Sequence, residues 1–354
     1  MQKINRRGFL SLLTGCAAAS LVDRPDGILP FVSAQPSLPA HRFGVRGPHF
    51  TLNDTETFLF GISYYGALGA TREVIQADLD RMKSLGINWI RVWATWGAFD
   101  INLTVVNPNG SPRQPYLSYL QWLVAECDRR GLVVDVTLSR GNGVTGKARL
   151  QELTPHQATV ETIIAALKDR GNWYLDLGNE RNIRDQRYTP MTDLVALRIR
   201  ARELSPALLV TASHAGDIDE KELRRYIEEV KVDFLSPHRP RDARSPSQTP
   251  NKTRWYLDQM KTLGRVVPVH YQEPFRRDFS VDWNPVAADF VADAKAALES
   301  GAAGWCLHNG DNRAAPDGRP RRSFDLRDGS LFSQFDAEER KVLDQLVIVF
   351  KGTP

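Results

Sequence analysis

The sequence predicts a single (β/α)₈ barrel with a β-hairpin at its N-terminal side. Eight short apolar segments alternate with eight amphipathic helical patterns. The strand segments are apolar on both faces, as expected for parallel strands covered by helices. A doubly wound open sheet often carries a glycine-rich phosphate loop after its first strand, and Gly61, Gly66 and Gly69 do not match that spacing. The 354 residues, 42% of them hydrophobic, are enough for one large barrel.

The chain begins with a segment that we interpret as an export signal over residues 1–34. Arg6-Arg7 followed by Gly-Phe-Leu and an apolar stretch resembles a twin-arginine signal. Cys16 closes a Leu-Thr-Gly-Cys sequence typical of bacterial lipoproteins, whereas Ala34 ends a small-residue cleavage site. The first would anchor the protein to a membrane by a lipid, and the second would release it outside the cytoplasm. Residues 35–42 are predicted to be a linker, and 43–354 the barrel.

The elements of the barrel follow in order. A hairpin over 43–60, with Asn53-Asp54 in its turn, leads into the first strand. Apolar runs bounded by turn residues predict eight strands, at 58–64, 87–92, 132–138, 173–177, 207–212, 232–235, 266–271 and 302–307. Helical periodicity and stop signals such as Gly86 and Gly131 predict eight helices, at 71–84, 116–130, 155–170, 190–204, 220–230, 249–263, 284–300 and 336–347. The charged stretch 239–250 is predicted to be a long, solvated loop.

Composition excludes some classes of function. A net charge of +4 without a basic run in the body gives no support for binding nucleic acid, or a membrane surface, through bulk charge. Cys127 and Cys306 are predicted to be packing residues on a helix and a strand, with no disulfide between them. Nothing in the sequence indicates the oligomeric state.

Polar and aromatic side chains follow the predicted strands, and a barrel brings such residues together at one mouth. Two of them are carboxylates, Glu180 after the fourth strand and Glu273 after the seventh. The others are Tyr64, Tyr65, Arg91, Trp93, Trp96, Ser139, Arg140, Asn179, His214, His238, Tyr271, Trp305 and His308.

Paired carboxylates facing each other across a barrel mouth suit glycoside hydrolysis. At about 5–5.5 Å, one can attack the anomeric carbon while the other protonates the leaving oxygen. The acid then needs a raised pKa, and the nucleophile must stay ionised. Arg91 could keep Glu273 ionised, Asn179 could bind a sugar hydroxyl, and the aromatic rings could stack against sugars.

The chain resembles clan A of the glycoside hydrolases, most closely the cellulase-type family 5. The resemblance covers about 43–308 and rests on the hairpin leading into F-G-I-S-Y-Y-G-A, the strand I-N-W-I-R-V-W, the G-N-E strand end, the strand-seven Glu and the strand-eight Trp. It implies that Glu180 is the acid/base and Glu273 the nucleophile of a retaining enzyme. We expect substrate binding by Tyr64, Arg91, Trp93, Asn179, His238, Tyr271 and Trp305, with no metal and no cofactor.

Three departures indicate a divergent subfamily. Arg181 stands where the family often has Pro after the acid/base, Ser139 where it often has His, and Pro240 where it commonly has Tyr. The catalytic pair is intact, but the sugar and the linkage cannot be inferred, and a standard cellulase is not implied.

Two other functions compete. A metal-dependent barrel hydrolase could use Glu180, His214, His238 and Asp311 as ligands, although the His-x-His pair usual at strand one is replaced by Ser63-Tyr64-Tyr65. A barrel that only binds carbohydrate would be expected to lack a catalytic carboxylate, and neither is missing.

Overall fold

A computed structural model describes residues 41–95, 101–141, 150–310 and 324–350. The predicted export signal with Cys16, and the linker up to residue 40, lie outside the described residues. So do Trp96 and Asp311. Among the helices that the structure describes, none combines the length and apolar character needed to cross a bilayer.

The N-terminal element is a three-stranded antiparallel sheet, one strand larger than the predicted hairpin. It consists of β1 (Phe43–Arg46), β2 (His49–Leu52) and β3 (Thr55–Thr57). Asn53 and Asp54 form the predicted turn in left-handed conformations, with φ of 53° and 63°. A second turn at Gly47 (φ 57°) adds the extra strand, because glycine adopts positive φ without a steric cost.

The barrel strands are short and parallel, and they confirm the predicted fold class. They are β4 (Leu59–Ser63), β5 (Trp89–Trp93), β6 (Val133–Thr137), β7 (Trp173–Asp176), β8 (Val210–Thr211), β9 (His214–Ala215), β10 (Pro237–His238), β11 (His270–Tyr271) and β12 (Gly304–Leu307). Seven pair in the order β11-β12-β4-β5-β6-β7-β8, and β9 pairs separately with β10. The predicted sixth strand, 232–235, is not a regular strand, but its backbone bonds link β8 to the segment before β11.

Helices alternate with these strands and cover the outside of the barrel. They are α1 (Arg72–Ser84), α2 (Tyr116–Asp128), α3 (Leu153–Leu167), α4 (Met191–Leu204), α5 (Glu220–Arg225), α6 (Ser245–Thr262), α7 (Ala287–Glu299) and α8 (Ala337–Phe350). Thr71 caps α1 by accepting a 3.4 Å hydrogen bond from the amide of Val74. Helix α6 begins earlier than predicted, so 239–250 is not one long loop. Pro246 lies in its first turn, where a missing amide hydrogen costs least, whereas Pro250 lies inside the helix and leaves out one backbone bond.

The lower interior of the barrel is filled by aromatic side chains and closed by the N-terminal sheet. Phe43 and Phe50 pack against Tyr174 and Phe234 inside the barrel. Gly61 makes room for this layer, since a Cβ there would lie 2.0 Å from the Trp89 ring. Above this apolar floor the interior becomes polar, and the candidate site begins there. The two cysteines that the structure describes, Cys127 and Cys306, are buried and unpaired, as predicted.

Candidate active site

Glu180 follows β7 in a strained backbone conformation. Its φ is +46°, a left-handed value that residues with a Cβ seldom adopt, and the hydroxyl of Ser213 accepts a 3.1 Å bond from its amide. Backbone strain of this kind is held in place by its surroundings and concentrates at functional sites. Oε1 of Glu180 lies 3.3 Å from Nδ1 of His238, while Oε2 accepts a 2.9 Å bond from Arg187.

Glu273 follows β11 and lies almost fully buried. Its Oε1 accepts a 2.7 Å bond from the hydroxyl of Tyr65 and a very short one from Nη1 of Arg91. Its Oε2 accepts a 2.7 Å bond from Arg241 and lies 3.4 Å from Nε2 of His308. Three donors, Tyr65, Arg91 and Arg241, therefore fix both oxygens of this carboxylate in one orientation.

The two carboxylates face each other as predicted. One oxygen of Glu180, one oxygen of Glu273 and a ring nitrogen of His238 all lie within 4.8 Å of one another. Paired carboxylates lie about 5–5.5 Å apart in retaining glycosidases and farther apart in inverting ones, so the proximity of these two oxygens is compatible with the retaining arrangement.

His238 lies between the carboxylates and the buried Arg91. Nη1 of Arg91 lies 3.4 Å from Nε2 of His238, and a guanidinium group can only donate. Nε2 therefore accepts, which leaves the hydrogen of a neutral ring on Nδ1. From there it points at Glu180 (3.3 Å) and Glu273 (3.5 Å).

Arg91 is the centre of the polar floor beneath the site. It is completely buried, and its Nη2 donates to Asp176 at 2.9 Å and to Asn179 at 3.0 Å, while Nε lies 3.1 Å from Asp135. A buried guanidinium needs such partners to offset its desolvation. The predicted contact between Arg91 and Glu273 is present.

Burial alone would raise the pKa of both glutamates, but their neighbours reverse the direction. For Glu273, the histidines His238 and His308 and the arginines Arg91 and Arg241 hold the pKa well below its usual range. For Glu180, the hydrogen bond with His238 and the charge of Arg241 outweigh burial, so its pKa is also lowered. The lowered pKa of Glu273 fits the ionised state expected of a nucleophile, but the raised pKa expected of Glu180 as an acid is not found.

Two arginines that contact the glutamates were not placed at the site by the sequence analysis, and the charge of one of them, Arg241, lowers the pKa of both glutamates. Arg187 lies in the loop between β7 and α4, and Arg241 lies just after β10 in a stretch predicted to be solvated loop. Nη2 of Arg241 lies 2.7 Å from Glu273 and 3.5 Å from Glu180 and so contacts both carboxylates. The sequence signal for Arg241 was its position three residues after the end of β10, whereas Arg187 lies farther along its loop and carried no such signal.

Three residues predicted to bind substrate do not face the mouth, and those predictions are wrong. Tyr64 donates to Asp78 of α1 at 2.8 Å, Tyr271 lies 2.6 Å from Thr253 of α6, and Trp305 donates to Asp293 of α7 at 2.7 Å. All three are buried between barrel and helices. Side chains alternate between the two faces of a strand, so a shift of one residue reverses the direction.

The neighbouring side chains occupy the site instead. Tyr65, next to Tyr64, contacts Glu273, and His308, three residues after Trp305, contacts both of them. Trp93 stacks on Tyr65 with ring centroids 3.8 Å apart, which puts it beside the site as predicted. Both rings are almost fully buried, so they offer a sugar little exposed surface.

Glu180, His238 and Glu273 are close enough to share a metal ion. Their carboxylate oxygens, however, already accept bonds from Arg91, Arg187 and Arg241, and these three positive charges would repel a cation. His214 is not part of the group, because its ring nitrogens lie 3.2 Å from Asn182 and Tyr226. The residues described fit a carboxylate–arginine cluster better than a metal centre.

Comparisons with known proteins show similarity in structure only. No protein-family model matches the chain, and no curated protein matches its sequence. A glycoside hydrolase family 5 protein from Bacteroides vulgatus superposes with a TM-score of 0.65 at 15% identity, over 91% of this chain and 74% of the other. A family 5 mannosidase from Rhizomucor miehei superposes with a TM-score of 0.58 at 13% identity, over 88% of this chain and 98% of the other.

A putative glycoside hydrolase from Bacteroides vulgatus gives a TM-score of 0.64 at 14% identity, and the match spans 89% of this chain but only 62% of that protein. At these identities the comparison establishes the fold. The resemblance inferred from sequence is thus confirmed at the level of architecture: the chain has the barrel fold of the glycoside hydrolase family 5 enzymes.

Proposed function

We propose that the protein is a retaining glycoside hydrolase that cleaves a β-linked glycan or glycoside by double displacement. The observation that carries the proposal is the pair Glu180 and Glu273, with carboxylate oxygens within 4.8 Å at the carboxyl ends of two barrel strands. The fold shared with family 5 enzymes supports the same class of reaction.

In the first step, an oxygen of Glu273 forms a bond to the anomeric carbon as the bond to the leaving oxygen breaks. Glu180 gives its proton to that oxygen. Tyr65, Arg91 and Arg241 keep Glu273 ionised and fix its orientation. In the second step, Glu180 removes a proton from water, the water oxygen attacks the anomeric carbon, and the ester to Glu273 breaks.

Asn179 and His238 are assigned to the sugar in this proposal. Both lie beside the carboxylates on strand ends, where a hydroxyl next to the anomeric carbon would sit. Trp93 supports the site by stacking on Tyr65. No metal takes part.

The test compares Glu180→Ala and Glu273→Ala on aryl β-glycosides, with Glu228→Gln as the control for an exposed glutamate. β-Mannosides are the first neutral substrates to try, because the Rhizomucor enzyme is named a mannosidase. Both alanine variants should lose activity by at least about a thousandfold, and azide should restore Glu180→Ala through a glycosyl azide product. Activity close to wild type in both variants would refute the proposal, and so would dependence on a chelatable metal.

We also propose that residues 1–34 direct export. The supporting feature is the Arg6-Arg7 pair followed by an apolar stretch. Arg6→Lys combined with Arg7→Lys should leave the protein in the cytoplasm of a bacterial host. Cys16→Ser should remove membrane association if Cys16 carries a lipid, and should change nothing if cleavage follows Ala34.

A further inference from the structure

Glu180 keeps its left-handed backbone conformation in a turn that is bonded on two sides. Ser213 accepts two bonds of 3.1 Å from this turn, one from the amide of Glu180 to its hydroxyl and one from the amide of Arg181 to its carbonyl. The carbonyl of Arg181 accepts a 3.0 Å bond from the amide of Thr189. Strained residues of this kind persist only where their surroundings over-determine them. The contacts of the residue that follows Glu180 therefore bear on the conformation of Glu180 itself.

The side chain of Arg181 is fastened to a helix outside the barrel. Its Nε donates a 2.7 Å bond to the hydroxyl of Tyr226, and its guanidinium lies 5.2 Å from the centre of the same ring. It also forms an ion pair with Glu222 of α5. The side chain is 3% exposed, and a guanidinium buried to this extent needs such partners to offset its desolvation. We call Arg181, Tyr226 and Glu222 the anchor.

Tyr226, at the centre of the anchor, begins an unusual helical turn. A π-helical turn, Tyr226–Val230, follows α5 directly. Such turns are rare and frequently lie at functional sites. The hydroxyl of Tyr226 also lies 3.2 Å from Nδ1 of His214, a residue of β9. The anchor thus joins the turn that carries Glu180 both to a helix and to a barrel strand.

Asn182 reinforces the same attachment. Its Oδ1 accepts a 2.8 Å bond from the amide of Ala215, and its Nδ2 donates a 3.2 Å bond to the carbonyl of that residue. The two side chains that follow Glu180 are therefore held by different elements, α5 and β9, which leaves the turn little freedom to relax.

The nucleophile is held by a different set of residues. Glu273 is fixed by Tyr65, Arg91 and Arg241, which do not belong to the anchor. A proton donor must lie within hydrogen-bond reach of the atom that it protonates, and a displacement of about 1 Å caused by a remote substitution can cost about a hundredfold in rate. Release of the anchor should therefore impair acid catalysis by Glu180 and spare attack by Glu273.

Building on the proposed function, we propose that Arg181 is a positioning residue for the acid/base. Through the anchor, it holds the backbone of Glu180 in the left-handed conformation and so places the carboxyl group at the leaving oxygen. Its guanidinium is committed to the helix side, so Arg181 acts on the reaction through the residue beside it.

The experiment measures kcat/KM, which reports the steps up to formation of the glycosyl-enzyme, for aryl β-glycosides whose leaving groups differ in acidity. A dinitrophenolate departs without a proton, whereas a phenol or an alcohol needs one from the acid. Arg181→Met should therefore lose about 10–100-fold on the poor leaving groups and almost nothing on the activated ones. Tyr226→Phe, which keeps the ring and removes the hydroxyl, should show the same pattern with a smaller loss.

Arg202→Met is the matched control. It removes a partly buried arginine that pairs with Asp233 beside the start of β8. This variant should lower the melting temperature and leave the dependence of kcat/KM on the leaving group as it is in wild type.

An equal loss on all leaving groups in Arg181→Met and Tyr226→Phe would overturn the inference, because a general loss of structure affects every substrate alike. An unchanged dependence in both variants would also overturn it. If Arg181→Met does not fold, the result for Tyr226→Phe decides.

A wild type that cleaves no β-glycoside would refute the hydrolase proposal, and the anchor would then be tested by crystallography. Arg181→Met, or Tyr226→Phe if the first does not fold, should show Glu180 at negative φ with its carboxylate displaced from His238. A left-handed Glu180 in its wild-type position would refute the anchor.

Discussion

Replacing Arg187 by Gln should move one limb of the pH–rate profile and leave the other in place. Arg187 donates to Oε2 of Glu180 at 2.9 Å, and its side chain is 15% exposed, that of Glu180 12%. Although burial opposes it, the hydrogen bond with Asp185 and the charge of Glu180 raise the pKa of Arg187. The same charge interaction acts on both partners, so Arg187 stabilises the ionised form of Glu180.

The magnitude follows from the contact. A charge-assisted hydrogen bond with little solvent screening contributes about 1.5–3 kcal/mol, and 1.36 kcal/mol corresponds to one pKa unit. Since Gln keeps part of the hydrogen bonding, we expect the pKa of Glu180 to rise by about one unit. Glu180 must be protonated to act as an acid, so the alkaline limb of kcat/KM should shift upward by that amount.

The assay is kcat/KM for a neutral aryl β-glycoside against pH. Arg187→Gln should leave the acidic limb, set by Glu273, unchanged, whereas Arg241→Gln should shift both limbs because Arg241 contacts both glutamates. Arg184→Gln removes an arginine that stacks on Tyr188 in the same loop, and it should reproduce the wild-type profile. An alkaline limb that stays fixed, or moves down, in Arg187→Gln would refute this account of the acid.

Three further predictions concern stability. Trp305→Phe should lower the free energy of unfolding by about 1–3 kcal/mol, because the Asp293 carboxyl loses its 2.7 Å donor; an increased KM without a change in melting temperature would show a role in substrate binding instead. Gly61→Ala should destabilise the fold by about 1–3 kcal/mol or more, since its Cβ would lie 2.0 Å from Trp89; an unchanged melting temperature would contradict the packing of the barrel interior. Burial, with the charge of Asp176 adding to it and that of Arg91 opposing it, raises the pKa of Asp135 to about 7 from an ordinary 3.8. Its contribution to stability is therefore complete below pH 3.8 and lost as the pH rises through 7. Relative to wild type, the free energy of unfolding of Asp135→Asn, measured by chemical denaturation, should therefore increase as the pH rises from 4 to 7.5. A constant difference across that range would be evidence against the raised pKa.

The fold could be predicted because local patterns report it directly. Apolar runs that ended at glycine, such as the one before Gly178, placed β7 to within a residue or two, and Thr71 marked the start of α1. The region 232–250 was not predicted correctly. There the barrel closes through isolated backbone bonds rather than a regular strand, and α6 contains prolines that normally indicate a loop.

The site could be predicted only in part. The sequence indicated that Glu180, Glu273, Asn179 and His238 lie close together, because each is at or just past a strand end and the barrel brings strand ends together, and the structure places Arg91 of β5 beneath them. The sequence did not show which side chains point into the barrel. Tyr64 and Tyr65 are the same residue type and differ only in the face of the strand that they occupy. Arg187 and Arg241 were missed since their loops have no periodic pattern, and a charged residue in a loop most often faces water.

The central claim is that Glu273 forms a covalent bond with the sugar. The most direct measurement is intact-mass and peptide mass spectrometry after reaction with a 2-deoxy-2-fluoro β-glycoside bearing a good leaving group, matched to the sugar that the enzyme hydrolyses. We expect one glycosyl unit per chain, on the peptide containing Glu273, and none in Glu273→Gln. An adduct on another residue, or hydrolysis without an adduct and with inversion at the anomeric carbon, would contradict the account.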